Sequence, residues 1–174
     1  MRAARLFALI AVLLAGVQTA SAAELSPYGT SKLDLHEYPV INVVFDANYA
    51  DPKDLNMLYG FVKNTMKLLK GKMVVVTHGP ELRAFAQENY LKYQGIADRM
   101  KELADAGVDF RMCHIALRAA GYKADDFHGF VTVVPAGFAE IALLQSQGYQ
   151  PIIPLPYSPR DVRYLDHPEL KKGQ

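Results

Sequence analysis

Apolar and polar positions along the chain alternate between two kinds of pattern. Residues 40–45 form a short apolar run rich in β-branched side chains, which is typical of a buried strand. Three later runs of the same kind predict strands at residues 73–76, 108–112 and 130–134. A fifth run at residues 150–153 lies between prolines, which suit edge positions, so we expect an edge strand there.

The segments between these runs have helical periodicity. Asp51 and Pro52 supply a cap residue followed by a proline, the usual start of a helix. Apolar residues then recur at three- and four-residue spacing: Leu55, Leu58, Tyr59, Val62, Met66 and Leu69. The pattern predicts a helix here, a short one at residues 82–86, and others at residues 91–106, 113–120 and 136–147.

Four predicted helices end in glycine, at Gly71, Gly107, Gly121 and Gly148, and an apolar run follows each of them. Glycine readily takes the left-handed turn that closes a helix. A helix, a glycine and a buried strand, repeated in this order, indicate a parallel sheet covered on both faces. We therefore predict an α/β three-layer sandwich, flavodoxin-like, with a mostly parallel five-stranded sheet and helices on both faces.

The first residues have the order of a secretory signal peptide. Arg2 and Arg5 precede an apolar run, and small residues follow it at residues 20–23. The alternative is a membrane anchor, but a span needs about 20 apolar residues and this run is shorter. We predict a cleaved signal at residues 1–22, an arm at 23–39, an α/β domain at 40–153 and a loop-like tail at 154–174, hence a periplasmic or otherwise exported protein.

Charge and composition narrow the choice of partners. Without Arg2 and Arg5, the chain has 17 basic and 18 acidic side chains, which gives a formal net charge of −1. That balance lacks the basic surface typical of nucleic-acid binding. After signal cleavage no later segment is apolar enough to span a membrane, so we predict neither a nucleic-acid nor a membrane partner.

Ligands of open α/β sheets bind beyond the carboxyl ends of the strands, near the point where strand order reverses. If the order is that of flavodoxin, the first and third strands flank this point, and Asp46 and Cys113 are neighbours. The residues that the first four strands deliver to this edge are Asp46 and Asn48, then Thr77, His78 and Gly79, then Cys113 and His114, then Pro135 and Gly137.

The single cysteine, Cys113, has two interpretations. It lies where a strand becomes a helix, and a helix N-terminus favours a thiolate, which is the nucleophilic form. The alternative is a small buried hydrophobe, a common state of free cysteine. Position favours the functional thiol, with His78 as a better placed helper than His114.

The sequence lacks the residues that several other kinds of site require. The turn at residues 46–51 has no glycine or hydroxyl cluster and carries two acids, which makes it a poor phosphate cradle. The chain has no Cys-x-x-Cys pair, no histidine pair at zinc-helix spacing and no Gly-x-Ser-x-Gly elbow. We therefore expect no cofactor and no metal; a metal held by His78, Cys113 and His114 is the less favoured alternative.

Four segments together resemble one protein family. VDFRMCHIALRAAG at residues 108–121 is similar to the strand–cysteine–helix–glycine segment of DsrE/DsrF-like proteins. VVPAGFAE at 133–140 and LQSQGY at 144–149 resemble the strand, helix and closing strand that follow, and VVVTHGP at 74–80 resembles a turn of the family's exported branch.

The resemblance implies a flavodoxin-like fold, homotrimers or hexamers, and a cysteine that in some members carries sulfane sulfur as a persulfide. It assigns that role to Cys113 and makes His78, His114 and Pro135 site-lining. We expect a sulfur carrier that works with a donor or acceptor protein. The alternative is a non-catalytic oligomeric module that binds a small ligand or a partner protein in the same cleft.

The segment at residues 138–144 is apolar on nearly all sides of its predicted helix, with only Glu140 breaking the run. A surface helix normally has one polar face, so this one needs a second cover. The cover is either the N-terminal arm, through Leu33, Leu35 and Tyr38, or a neighbouring subunit. We predict a homo-oligomer, a trimer or a multiple of one, with this segment near the contact.

Overall fold

A computed structural model describes residues 27–156 and 163–171. The predicted signal at residues 1–22 lies outside the described residues. Contacts within the chain divide it into two units, with the boundary between His36 and Glu37. Residues 28–40 have no regular secondary structure and are exposed, and the second unit holds all the strands and helices given below.

Strands and helices alternate through the second unit. The elements are β1 (Ile41–Ala47), α1 (Leu55–Leu69), β2 (Lys70–Thr77), α2 (Tyr90–Asp105), β3 (Asp109–Cys113), α3 (His114–Ala119), β4 (Val131–Val134), α4 (Gly137–Ser146), β5 (Gln150–Ile152) and α5 (Arg163–Asp166). Short 3-10 turns precede α1, α2 and β4, the longest of them at Pro80–Phe85. The prediction of a loop-like tail at residues 154–174 is wrong in part, because its described residues include α5 and a 3-10 turn at Pro168–Lys171.

The sheet has five parallel strands in the order β4-β3-β2-β1-β5. The prediction of an α/β sandwich with helices on both faces is confirmed. The conditional expectation that β1 and β3 flank the reversal is wrong, because β2 lies between them. The chain moves outward from β1 to β4 and then returns to the other side of β1, so the reversal lies between β1 and β5.

This order distributes the helices unevenly. Crossovers between parallel strands are right-handed, so successive steps in one direction put their helices on one face of the sheet. Accordingly α1, α2 and α3 share the larger core, and α4, which serves the return step, covers the opposite face. On the α4 face, Ile141 and Leu144 pack against side chains of β1 and β2, namely Val44, Val74 and Val76.

Helix closure follows the predicted glycines at three places of four. Gly107, Gly121 and Gly148 have φ of 100°, 88° and 90°, in the left-handed region. At the end of α1 the left-handed residue is Lys70, with φ 53°, and not Gly71. Gly71 is required for another reason, since a Cβ there would lie 1.9 Å from the carbonyl oxygen of Ile41 on the neighbouring strand.

Among the described residues, no helix is both long and apolar enough to cross a membrane.

Candidate functional site

Cys113 ends β3 and caps α3. Its backbone is extended, with φ −67° and ψ 115°, and its Sγ accepts a hydrogen bond from the Ala116 N–H at 3.4 Å. This is the position that serine or aspartate takes at many helix starts, here filled by sulfur. The residue is 7% exposed, so the thiol lies just below the surface at the carboxyl edge of the sheet.

His78 and Asp46 form a pair at the same edge. The Nε2 atom of His78 lies 2.6 Å from Oδ1 of Asp46, and the His78 side chain is only 6% exposed. This contact is a hydrogen bond for the neutral imidazole and an ion pair for the protonated one. Asp46 thus meets His78, which follows β2, and the predicted pairing of Asp46 with Cys113 across adjacent strands does not occur in this strand order.

Gly137 brings His78 and Cys113 together. A Cβ built on Gly137 would lie 2.9 Å from the Cβ of His78 and 3.3 Å from the Cβ of Cys113. The first turn of α4 therefore packs directly on both residues, and its backbone comes closer than any other residue type would allow. The next residue, Phe138, places its ring 4.6 Å from the imidazole of His78.

Glu81 organises the loops around the site, although its sequence pattern does not predict this role. Its buried carboxylate accepts hydrogen bonds from the Tyr49 N–H at 2.8 Å, the Gly79 N–H at 3.0 Å, the His78 N–H at 3.2 Å and the Thr77 hydroxyl. Four donors satisfy a charge that would otherwise be costly to bury. The fully buried acid could be found only from tertiary structure, because Glu81 in the sequence resembles an ordinary surface glutamate.

Contacts within the same loops place two of the predicted site residues, Asn48 and Gly79, next to each other. A Cβ on Gly79 would lie 2.4 Å from Oδ1 of Asn48 and 2.4 Å from Oε2 of Glu81, so a larger residue there would displace these side chains. Asn48 and Gly79 are therefore adjacent. Burial, and then the nearby carboxylate of Glu81, raise the pKa of Tyr49 well above its ordinary value. The Tyr49 hydroxyl donates to the Pro154 carbonyl at 3.0 Å, which ties the chain after β5 to this edge.

An ion-pair group holds α4 on its face of the sheet. Arg111 of β3 binds Asp109 at 2.7 Å and also pairs with Glu140, the acid that interrupts the apolar run of α4. Burial lowers the pKa of Arg111, but its hydrogen bonds to Asp109 and Glu140 outweigh that effect and raise it. Glu140, the polar residue in this apolar helix, is thus buried and links α4 to β3 through Arg111.

Two predicted site residues lie apart from this group. His114 is the first residue of α3 and is exposed, and Pro135 is exposed in the turn between β4 and α4. Within the described ranges, the side chain of neither residue has a hydrogen bond, ion pair or ring contact. The described residues also hold no group of three His, Cys, Asp or Glu side chains that could bind a metal ion, so His78, Cys113 and His114 do not form one.

A cleft of about 470 Å³ lies beside the site, between the turn at Pro80–Phe85 and α3. Its lining includes His78 and Ala116, the two residues that connect it to the Cys113 environment. The remaining lining residues are Gly79, Pro80, Leu82, Arg83, Ala119, Ala120 and Tyr122. A second cavity of equal volume lies against α2 and holds none of the predicted site residues.

Comparisons with known proteins agree with this architecture. The sequence profile of the DsrE/DsrF-like family matches residues 41–154, more than half of the chain. A solved structure of a protein of unknown function from Methanobacterium thermoautotrophicum is 28% identical, with a TM-score of 0.58, over 66% of this chain and 99% of that one. The search of curated proteins gave no match.

Proposed function

The chain belongs to the DsrE/DsrF-like family, and from this premise we propose that it is a sulfur carrier with Cys113 as the persulfide-forming thiol. Family membership suggests a function of the sulfur-relay type. The observation that supports Cys113 as its carrier is local: the only cysteine of the chain lies at the carboxyl edge of β3, with its sulfur on a backbone N–H. Its Cβ packs on Gly137 together with His78, which forms a half-buried pair with Asp46.

The proposed reaction is an exchange at sulfur. The Cys113 thiolate attacks the outer sulfur of a donor persulfide, R–S–SH, so that a new S–S bond forms and the donor's S–S bond breaks. The products are Cys113–S–SH and the thiolate R–S⁻. The sulfane sulfur keeps its oxidation state, and no external oxidant is needed. An acceptor thiolate then takes the outer sulfur in the same way and regenerates the Cys113 thiolate.

His78 is the positioning residue in this proposal. Asp46 holds the imidazole by its Nε2 atom, while Phe138 and Gly137 pack against it. The Cβ atoms of His78 and Cys113 both pack on Gly137, so an imidazole held in this way fixes the wall beside the carrier cysteine.

The experiment is mass spectrometry of the purified protein after incubation with polysulfide. We expect a mass increase of one sulfur atom, located on Cys113 by tandem spectra and absent from Cys113→Ser. The denatured chain is the control, because an accessible unfolded thiol reacts without any site. An unmodified Cys113, or labelling equal to that of the denatured chain, would contradict the proposal.

The proposal includes export to the periplasm and assembly into a homotrimer or a hexamer. Apolar side chains near the site support assembly: Phe138 is 71% exposed, Ile115 65% and Leu143 49%. Leu33 and Leu35, considered as a cover from the arm, are themselves 83% and 81% exposed. Analytical ultracentrifugation of the mature chain tests assembly, and a single monomeric species would refute it.

A non-catalytic binding module is the second candidate. The low exposure of Cys113, 7%, favours it, because a carrier thiol must meet its donor while a cleft can bind a ligand without the thiol. In this case Cys113→Ser should leave ligand or partner binding intact. A large loss of function in that variant, with stability unchanged, would decide for the carrier.

A further inference from the structure

The cleft that reaches the surroundings of Cys113 through His78 and Ala116 has a small apolar body. Ala116, Ala119 and Ala120 line it from α3, and Pro80 and Leu82 line it from the facing turn. The alanine side chains on the α3 side are short, so they leave the space of the cleft open. A volume of about 470 Å³ is in the range of pockets that take small molecules.

The polar groups of the cleft differ in how they are bonded. His78 is held by Asp46, and the Tyr122 hydroxyl accepts a hydrogen bond from the side chain of Asn89 at 3.1 Å. Arg83 has one long hydrogen bond, 3.5 Å from Nη2 to the Ala50 carbonyl, and no carboxylate partner within the ranges that the structure describes. A guanidinium carries five N–H donors, so most of those of Arg83 face solvent or the cleft.

We propose that this cleft binds the leaving part of a low-molecular-weight anionic sulfur donor, with Arg83 holding its carboxylate. The inference rests on the proposed function. The donor is a persulfide whose thiol portion carries a short apolar linker and a carboxylate. The linker lies along the alanines, the carboxylate accepts hydrogen bonds from Arg83, and the persulfide is directed toward Cys113 past His78 and Ala116.

Two features favour an anionic small molecule over a neutral one. Arginine matches a carboxylate with paired hydrogen bonds, and such charge-assisted bonds are about twice as strong as neutral ones. The exchange also places negative charge on the released R–S⁻. The positive charge of Arg83 in the cleft is complementary to that product. Cys113 gains the outer sulfur, and the thiolate of the donor departs with the electron pair of the broken S–S bond.

The test compares two donors that differ only in charge: the persulfides of mercaptopropionate and of mercaptopropanamide. The measured quantity is the second-order rate constant for persulfidation of Cys113. We expect the carboxylate donor to react about tenfold faster than the amide donor, and we expect Arg83→Gln to remove this preference. Raised salt should reduce the preference, because exposed charges are screened.

Arg118→Gln is the matched control. Arg118 is an exposed arginine of α3 that does not line the cleft, so its replacement removes the same charge from the same region. We expect it to leave the preference within about twofold, as is usual for a surface substitution. Equal loss of preference in both variants would overturn the inference, since it would show only a general effect of net charge.

A binding measurement separates this inference from the proposed function. The S-methyl thioether of mercaptopropionate cannot transfer sulfur, and its binding to the wild-type protein is followed by amide shifts in NMR spectra. If Cys113 accepts sulfur from both donors equally, and the thioether binds no better than its amide, the inference fails and the carrier function survives. If neither these donors nor polysulfide modifies Cys113, the carrier function fails, and thioether binding that depends on Arg83 would leave the cleft as an anion-binding site.

Discussion

Gly137→Ala tests the close approach of α4 to the site. The new Cβ would lie 2.9 Å from the Cβ of His78, 3.2 Å from its Cγ and 3.3 Å from the Cβ of Cys113. Both neighbours are near the backbone and cannot swing away as the end of a long side chain would. The helix or the two loops must therefore move.

Two opposing effects set the magnitude. Forcing a methyl group into packed space costs about 1–3 kcal/mol. Replacing glycine by alanine within a helix gains up to about 1 kcal/mol, and less in a first turn such as this one. Steric cost should prevail, so we expect Gly137→Ala to destabilise the protein by about 1–2 kcal/mol.

Gly95→Ala is the control because Gly95 lies inside α2 and a Cβ there meets nothing within 4 Å. This variant should gain about 0.5–1 kcal/mol from helix propensity alone. The assay is urea unfolding of both variants with the m-value compared. Stabilisation of the same size in both would refute the close packing of Gly137 on His78 and Cys113, as would an unchanged rate of Cys113 alkylation in Gly137→Ala.

Two further predictions concern buried and surface carboxylates. Glu81→Gln replaces a carboxylate oxygen with an amide group that faces N–H donors, so the free energy of unfolding should fall by about 2 kcal/mol. The control is Glu88→Gln on the surface, which should change the free energy of unfolding by less than about 0.5 kcal/mol. Equal effects of the two substitutions would contradict this prediction. Hydrogen bonds from Lys63 and then Tyr59 lower the pKa of Glu102, so their stabilising effect is present above the unfolded carboxyl pKa and is lost as pH falls through the folded one. Carbon-13 NMR titration should show a Glu102 midpoint below that of an unfolded glutamate, and Lys63→Met should raise it.

The site shows where reasoning from sequence succeeds and where it fails. The strand-to-helix junction at Cys113 follows from local pattern, because an apolar run, a change of periodicity and a closing glycine all lie within a few residues. The partner of Asp46 could not be predicted in this way. It depends on which strand lies beside β1, and β2 rather than β3 occupies that place.

The sequence alone determined the order of elements, since hydrophobic periodicity and helix ends are set by neighbouring residues. Gly107, Gly121 and Gly148 take the left-handed turns that their positions predict. Tertiary structure alone decided the strand order, and with it the placement of α4 by itself on one face. Contacts between distant segments also decided that Glu81 is a buried acceptor and that Gly137 touches both His78 and Cys113, because burial and close packing arise only when separate parts of the chain meet.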